Sequence, residues 1–391
     1  MTSPIEELDR AAEAPWDAIV VGAGPAGSLA AREIAKNGGK VLLVERRAFP
    51  RWKVCGACLN GRGLAVLDAV GLGDFASRLG AVPLKTFDLR HRGRSALLPL
   101  PTGVALSRAR MDAALTEEAR FAGADILMET HAVVLSAGPE FREVTLTRDR
   151  HTIKVSARVV VVAAGLGQHC IADEPDLHAR AIEGSRMGAG CEVEDFDGEL
   201  EPGTLGMAVG HHGYVGLVRV ETGRLNIAAA FERDWLRTLG TPGLAAAAVL
   251  AEAGFPPVAG LKDTAWQGTA GLTRRVRIAG ANRLLLVGDA VGYIEPFTGE
   301  GMAWALASGQ AVAPYAVKGI RHWDHTTPGE WTRLHRRLIG NRQRICRLLA
   351  AVLRRPMLTG LAIEALARRP GIARPFLNHM NAAHCLMDHY S

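Results

Sequence analysis

The sequence predicts an α/β protein in which a parallel sheet flanked by helices is interleaved with an antiparallel sheet and followed by a helical C-terminal segment. Three observations carry this expectation. The apolar run Trp16-Asp-Ala-Ile-Val-Val21 breaks into Gly22-x-Gly24-x-x-Gly27 and then into a helical pattern ending at Gly38-Gly39, the strand, turn and helix of a βαβ unit. Far downstream, residues 155–163 and 284–287 are continuous aliphatic runs, as strands buried on both faces read. Between them, residues 185–232 alternate short strand-like segments with glycine turns, which is the pattern of an antiparallel sheet.

In the first unit each glycine has its own task. Gly22 makes the tight turn, Gly24 lets the backbone touch a pyrophosphate, and Gly27 lets helix and strand pack closely. A diphosphate is expected at the helix N-terminus, where free N–H groups and the helix dipole favour negative charge. The next strand, Lys40-Val-Leu-Leu-Val-Glu45, ends in an acid at the spacing of a ribose-hydroxyl acceptor. Together these residues read as a Rossmann-type dinucleotide-binding unit.

After that unit, residues 46–60 read as a long basic loop and 61–70 as a helix. Residues 86–90 and 95–99 read as strands, and 107–122 as a helix anchored by Leu106, Met111 and Leu115. Residues 126–136 and 141–147 read as further strands. Segments 185–193, 205–209, 214–220 and 224–231 supply the antiparallel sheet, backed by an alanine-rich helix and a strand near 264–268. Residues 283–290 then bring back a parallel strand, and 299–315 a helix. The expected organisation is a flexible N-terminus (1–15) and a discontinuous nucleotide-binding domain (16–80, 100–180 and 270–318). A substrate-binding sheet domain (81–99 and 181–269) and a basic helical C-terminal region (319–391) complete it.

With 391 residues, 48% hydrophobic and 22% charged, the chain is long enough for two intimately connected domains. Its first 15 residues are polar and acidic, unlike a secretory signal, so a cytoplasmic location is expected. Cys55, Cys58, Cys170, Cys191, Cys346 and Cys385 are too scattered for a disulfide framework. The Cys55-x-x-Cys58 pair has no second pair to complete a zinc site, and no metal is expected. Net charge is +6, but residues 331–374 hold eleven arginines against the single acid Glu364. Leu334, Leu338, Ile345, Leu348, Leu349 and Val352 recur there at helical spacing, predicting an amphipathic helix with a cationic face. Such a helix is either packed on its own domain or presented to a membrane, an anionic lipid or a carrier-bound group. No aromatic platform accompanies the arginines, so a nucleic-acid partner is not expected.

On these motifs, over residues 16–315, the chain resembles the FAD-dependent oxidoreductases of the geranylgeranyl reductase and aromatic hydroxylase type, to which flavin-dependent halogenases are related. In that family a strand-end Gly-Asp pair binds the flavin's ribityl chain, and Gly288-Asp289 after Leu284-Leu-Leu-Val matches it. A Pro-x-x-Gly-x-Gly loop then leads into a helix beneath the isoalloxazine ring, as Pro296-Phe-Thr-Gly299-Glu300-Gly301 does. Reduced flavin carries negative charge near N1, which a helix N-terminus aimed there stabilises. The resemblance implies cofactor contacts from Gly22, Gly24, Gly27, Glu45, Arg46, Arg108, Gly288, Asp289, Gly299 and Gly301. Arg108 belongs to the matching segment Ser107-Arg108-x-x-Met111-Asp112-x-x-Leu115. Pro50-Arg-Trp-Lys-Val-Cys-Gly56 looks like the Lys-x-Cys-Gly element of the reductase branch, which lies near the ring. Cys55 and Glu300 are the candidate catalytic residues, with His211, His212 and Tyr214 as candidate contacts on the substrate sheet.

Departures from the family pattern also matter. The hydroxylases' Asp-Gly pair is replaced by Ala163-Ala164-Gly165, which leaves the electron donor open among NADH, NADPH and a separate reductase. The halogenases' Trp-x-Trp-x-Ile-Pro segment is missing, and the nearest stretch reads Gly213-Tyr-Val-Gly-Leu-Val-Arg219. Lys85 reads as a surface or strand-end lysine, and the Glu300 carboxylate would repel chloride unless its side chain points away. The implied activity is hydroxylation of a small apolar or aromatic substrate, lipid-like or carrier-bound. The alternative is reduction of a carbon–carbon double bond in an isoprenoid or polyketide chain. Halogenation and a non-enzymatic electron-transfer module are lesser readings.

Overall fold

The structure, a computed structural model, describes residues 4–382 apart from 14, 168–169, 172–173, 195–199, 296 and 298. Helix α1 (Pro4–Ala12) precedes β1 (Trp16–Val21), α2 (Pro25–Lys36) and β2 (Val41–Val44), and a long loop leads to β3 (Cys58–Asn60) and α3 (Gly61–Ala69). The hairpin β4 (Thr86–His91) and β5 (Arg94–Pro99) leaves for the second sheet. Helix α4 (Arg108–Phe121) and strands β6 (Asp125–Leu127), β7 (His131–Ala137), β8 (Arg142–Arg148) and β9 (His151–Val162) return to the first. A second excursion contains β10 (Met187–Val193), β11 (Thr204–Val209), β12 (Gly213–Arg219), β13 (Leu225–Phe231), α5 (Pro242–Ala253) and β14 (Gln267–Gly271). Strand β15 (Leu284–Leu286) and helices α6 (Gly301–Arg321), α7 (Thr327–Leu353), α8 (Pro356–Arg368) and α9 (Arg374–Asn381) follow.

The first sheet has a parallel core in the order β15-β9-β1-β2-β6. Every residue of β2 and β15 is buried, because helices cover one face and other strands the opposite one. On the first face Val20, Leu43 and Val161 pack with Leu29 of α2, Leu115 of α4 and Leu306 of α6. On the second, Ile19, Leu42 and Val160 pack with Val134, Val144 and Val155 of an antiparallel β7–β8–β9 meander. Strand β9 serves both halves: residues 151–157 pair with β8, and its Val-rich end enters the parallel core.

The N-terminus differs from the flexible segment expected for residues 1–15. Residues 4–12 form α1, Leu8 is fully buried in the second-face cluster, and the Trp16 indole N–H donates to Ala11 O at 2.9 Å. The short sequence has only Leu8 and Ala11 to bury, too few apolar residues to show as a periodic pattern, yet they cap the exposed edge of that cluster. The second sheet has the order β14-β10-β13-β12-β11-β4-β5. It is antiparallel except where β4 joins β11 in parallel, Thr86 opposite Thr204. That junction follows from the sheet being built on two separate visits of the chain.

Two further boundaries move. Helix α6 continues past Pro314 to Arg321, so the expected division at 318/319 falls inside it. Burial of Val312, Ala313, Ala316 and Gly319 outweighs the one helical hydrogen bond a proline removes. The single cationic helix expected over 331–374 is three elements, because Pro356 and Pro370 end the segments before them. Helix α7 docks on the nucleotide-binding half through Trp331, Leu338, Ile339 and Cys346, with the Trp331 indole N–H donating to Leu286 O at 2.9 Å. Among the described residues no helix is long and apolar enough to cross a membrane.

One buried group in α7 couples this packing to pH. His335 is 6% exposed and lies edge-on to Trp331, and burial, with Arg336 nearby, pushes its pKa from 6.5 down to about 4. A folded-state value below the unfolded one means stability that is fully present above pH 6.5 and lost as pH falls towards 4. The full loss is on the order of 3 kcal/mol. Urea unfolding across that range should show the slope in the wild type and its loss in His335→Gln.

Candidate functional site

Strand β1 delivers the chain into the turn at Gly22, whose φ of +102° a side chain would strain, and a Cβ there would stand 2.6 Å from Ala163 O. Gly27 is still more confined, since its Cβ would lie 1.8 Å from Gly22 O. Gly24 differs: the nearest atom to its Cβ position is the Arg108 Nη2, at 3.5 Å. It caps α2 without any side-chain acceptor on the first-turn N–H groups. That open, uncapped helix start faces a cavity of about 390 Å³ lined by Gly22, Gly24, Glu45, Arg46, Lys53 and Ala163 among others. The arrangement suits a bound diphosphate.

Glu45 sits at the end of β2, 5% exposed, and its Oε2 accepts from Ala23 N at 3.0 Å while Oε1 accepts from Arg47 N at 3.1 Å. Arg46 beside it is exposed on the rim. Arg108, the first residue of α4, donates through Nε and Nη2 to both carboxylate oxygens of Asp112, at 2.8 and 2.7 Å. Burial works against its charge, and this fork more than offsets the penalty. Arg51 reaches the same two acids, Asp112 at 3.4 Å and Glu45 at 3.6 Å.

Gly288 and Asp289 follow β15 and meet this cluster from the other side. Gly288 N donates to Ser308 Oγ at 2.8 Å, fixing the strand end to α6. Burial raises the Asp289 pKa, while Lys53 and Arg108 oppose the rise. Burial and Arg108 in turn lower that of Lys53. Lys53 therefore spans the two halves of the site, with Nζ 3.2 Å from where a Cβ on Gly165 would be. Sequence reasoning quoted Lys53 only as part of its loop; the signal available was a lysine in a glycine-bounded loop beside the diphosphate turn.

That loop lies across the second sheet. Asn226 Nδ2 on β13 donates to Cys55 O at 2.9 Å, and Trp52 and Val54 press on Gly190 of β10, where a Cβ would be 3.1 Å from the Trp52 ring. Cys55 is half-buried, whereas Cys58 is buried, its thiol donating to Gly56 O at 3.0 Å and its pKa pushed up by burial. Gly299 approaches the same place, its Cβ position 3.5 Å from Cys58 Cβ, and Gly301 opens α6 beside the Tyr293 hydroxyl. Pro296 of this loop lies outside the described residues, as does Cys385.

Glu300 is not placed as a catalytic acid. Its carboxylate is fully buried behind the start of α6, where Oε1 accepts from Arg342 Nη1 at 3.0 Å and Oε2 faces Cys346 Sγ at 3.6 Å. Burial raises its pKa against the pull of Arg342. The side chain thus points away from the open face of the loop and towards α7. Arg342 was counted with the cationic face, but it falls on the apolar stripe Leu338, Ile339, Arg342, Cys346, which is the signal that places it inside.

The substrate-sheet contacts divide. His211 and His212 occupy the turn between β11 and β12, where His212 bonds Glu232 at 2.9 Å and stacks on Trp235, away from the diphosphate-turn cavity. A glycine-flanked pair at a strand end simply faces the surface. Tyr214 is buried, packs edge-on against Phe297 at 5.3 Å, and its hydroxyl pKa is raised by burial and by the nearby Glu295 carboxylate. Arg186 donates to the same carboxylate at 3.0 Å, a buried network that sequence spacing did not reveal. Lys85 is exposed. No cluster of three or more metal-ligating side chains occurs among the described residues.

A second cavity, about 310 Å³, starts at Cys58, Gly299 and Phe297. It runs between β4–β5 and helices α7–α9, walled by Leu89, Leu98, Leu353, Ile363, Leu366 and Phe376. The first cavity is thus lined by the diphosphate turn and charged side chains and the second mainly by hydrocarbon, surfaces that suit a charged group and an apolar one respectively.

Three variants test the assignments. Gly24→Val should fold with unchanged secondary structure, because nothing in the protein itself blocks that Cβ, yet purify without flavin colour. Arg342→Ala leaves Glu300 buried and unpaired and should cost about 3–5 kcal/mol by denaturant unfolding. Glu300→Gln should shift stability while leaving the pH profile of flavin reduction unmoved.

Comparison with known proteins agrees with this geometry. The FAD binding domain family matches residues 16–174. Menaquinone reductase of Mycobacterium tuberculosis is 28% identical over 337 residues, covering 76% of this chain and 75% of that protein. Digeranylgeranylglycerophospholipid reductase 3 of Methanosphaera stadtmanae is 25% identical, covering 79% of each. Among solved structures, p-nitrophenol 4-monooxygenase PnpA of Pseudomonas putida shares the fold with a TM-score of 0.75 at 15% identity, over 95% of this chain and 99% of that one. The flavin-dependent brominase Bmp2 gives 0.76 at 16% identity over 94% of each. The chain is an FAD-dependent oxidoreductase, similar in sequence to the menaquinone and digeranylgeranylglycerophospholipid reductases and sharing its fold with flavin-dependent hydroxylases and halogenases.

Proposed function

We propose that this enzyme reduces carbon–carbon double bonds in a long isoprenoid-type substrate. The observation that carries the reading is the second cavity, whose walls are mostly leucine, isoleucine, valine, phenylalanine and methionine and which begins beside Cys58 and Gly299. The two relatives named above are a menaquinone reductase and a digeranylgeranylglycerophospholipid reductase.

Gly22, Gly24, Glu45, Arg108 and Asp289 would hold FAD, which would supply two electrons as hydride when bound. The chain's own contribution is positional. The fork of Arg108 on Asp112 and the cation of Lys53 complement a diphosphate, and the start of α6 presents its free N–H groups to anionic charge. Leu89, Leu98 and Phe297 keep water from the reacting carbons. Saturating a double bond also needs a proton, and the half-buried Cys55 thiol, pinned through its carbonyl by Asn226, is the donor this reading uses. NADH, NADPH or a separate reductase provides the electrons.

Anaerobic turnover of a menaquinone-type or geranylgeranyl lipid with chemically reduced enzyme should add a pair of hydrogens per double bond by mass spectrometry. Cys55→Ala should slow that step on the order of a hundredfold while flavin content is kept. Product only in the presence of oxygen, with an added oxygen atom, would establish hydroxylation instead and overturn the reductase reading.

A further inference from the structure

The helix that roofs the apolar cavity carries a second apolar face turned outwards. Helix α8 buries Thr359, Gly360 and Ile363, while Met357 is 82% exposed, Leu361 62% and Leu358 41%, with Ala362 and Ala365 beside them. The following turn, Pro370–Ala373, adds Ile372 at 59%. An exposed apolar face of this kind on a single helix marks an interaction surface.

Charge frames it on both sides. Arg354 and Arg355 precede α8, and Arg368, Arg369 and Arg374 follow or end it, all exposed. The one acid of the helix, Glu364, is taken up by Arg368 at 2.5 Å and faces Arg94 at 3.7 Å. Arg355, Arg369 and Arg374 enter no ion pair among the described residues. An apolar stripe with guanidinium groups at its ends complements acyl chains below and anionic headgroups around them. Ala362 and Ile372 are exposed and at the same time line the cavity, so its mouth opens in this face.

We propose that α8 and the 370–373 turn seat the enzyme on an anionic phospholipid bilayer with the cavity mouth against the lipid, so that an apolar chain passes from membrane to site without crossing water. Only the identity of that chain rests on the reductase reading; the docking is tested without substrate.

The flavin-loaded enzyme is sedimented with vesicles of equal parts phosphatidylglycerol and phosphatidylcholine, and with phosphatidylcholine alone. Wild type should partition to the anionic vesicles and be released by high salt. The combined Arg355→Ser, Arg369→Ser and Arg374→Ser substitutions should weaken partitioning on the order of a hundredfold. Met357→Ser with Leu361→Ser should weaken it about tenfold, flavin content and melting temperature staying constant in both variants. In a Leu361→Trp variant, tryptophan emission should shift blue on the anionic vesicles, a readout of insertion independent of the polar variants. Equal binding to both vesicle types would overturn the proposal. So would wild-type affinity in the Met357/Leu361 variant, the outcome for a surface built for an acidic protein, or an unshifted tryptophan.

Discussion

The site depends on how closely α2 and α6 cross. At the contact, a Cβ on Gly309 would stand 2.3 Å from Ala26 O, and one on Gly288 would stand 3.0 Å from Ala26 Cβ. Since Ala26 lies between Gly24 and Gly27, the diphosphate turn is pressed directly against the helix that carries the 299–301 loop. Close-packed interiors tolerate little displacement before something must shift, so this backbone-to-side-chain contact fixes the separation of the cleft's two halves. Ser308, one residue before Gly309, ties the Gly288 amide to the same helix. Segments almost three hundred residues apart in sequence thus share one rigid seam.

The parts of this architecture that were legible in the sequence are those where a residue type has few other uses. Gly22, Gly24 and Gly27 after an aliphatic run, and Gly288-Asp289 after another, required a strand-turn-helix geometry, and the β-branched run ending at Val162 required burial on both faces. What was not legible depended on partners distant in sequence. Glu300 read as a group for the reacting face because nothing nearby in sequence shows Arg342 behind it. Leu8 read as part of a loose tail because much of the cluster it covers, from Ala132 to Ala290, comes from far along the chain. His211 and His212 were named from chemistry alone, and a turn position turned them outward. Periodicity reports which face of a helix is apolar; it does not report what that face meets.

The division of labour between the two cavities follows from the same layering. The first is built from strand ends, helix starts and cations, where backbone N–H groups and charge accumulate. The second lies between the second sheet and three helices and presents mainly hydrocarbon. The loop from Arg51 to Gly56 closes the first cavity and leans on the second sheet through Trp52, Val54 and Asn226.

Arg342 has a mechanical consequence. Besides gripping Glu300, its guanidinium donates to Met380 O at 3.0 Å and Ala382 O at 3.3 Å. It acts as a strut between the floor under the prosthetic group and the far end of the roof over the hydrocarbon chamber. Any rigid-body swing of α9 away from α7 would have to break a desolvated ion pair, so the C-terminal end of the chain is held to the same buried carboxylate as the start of α6.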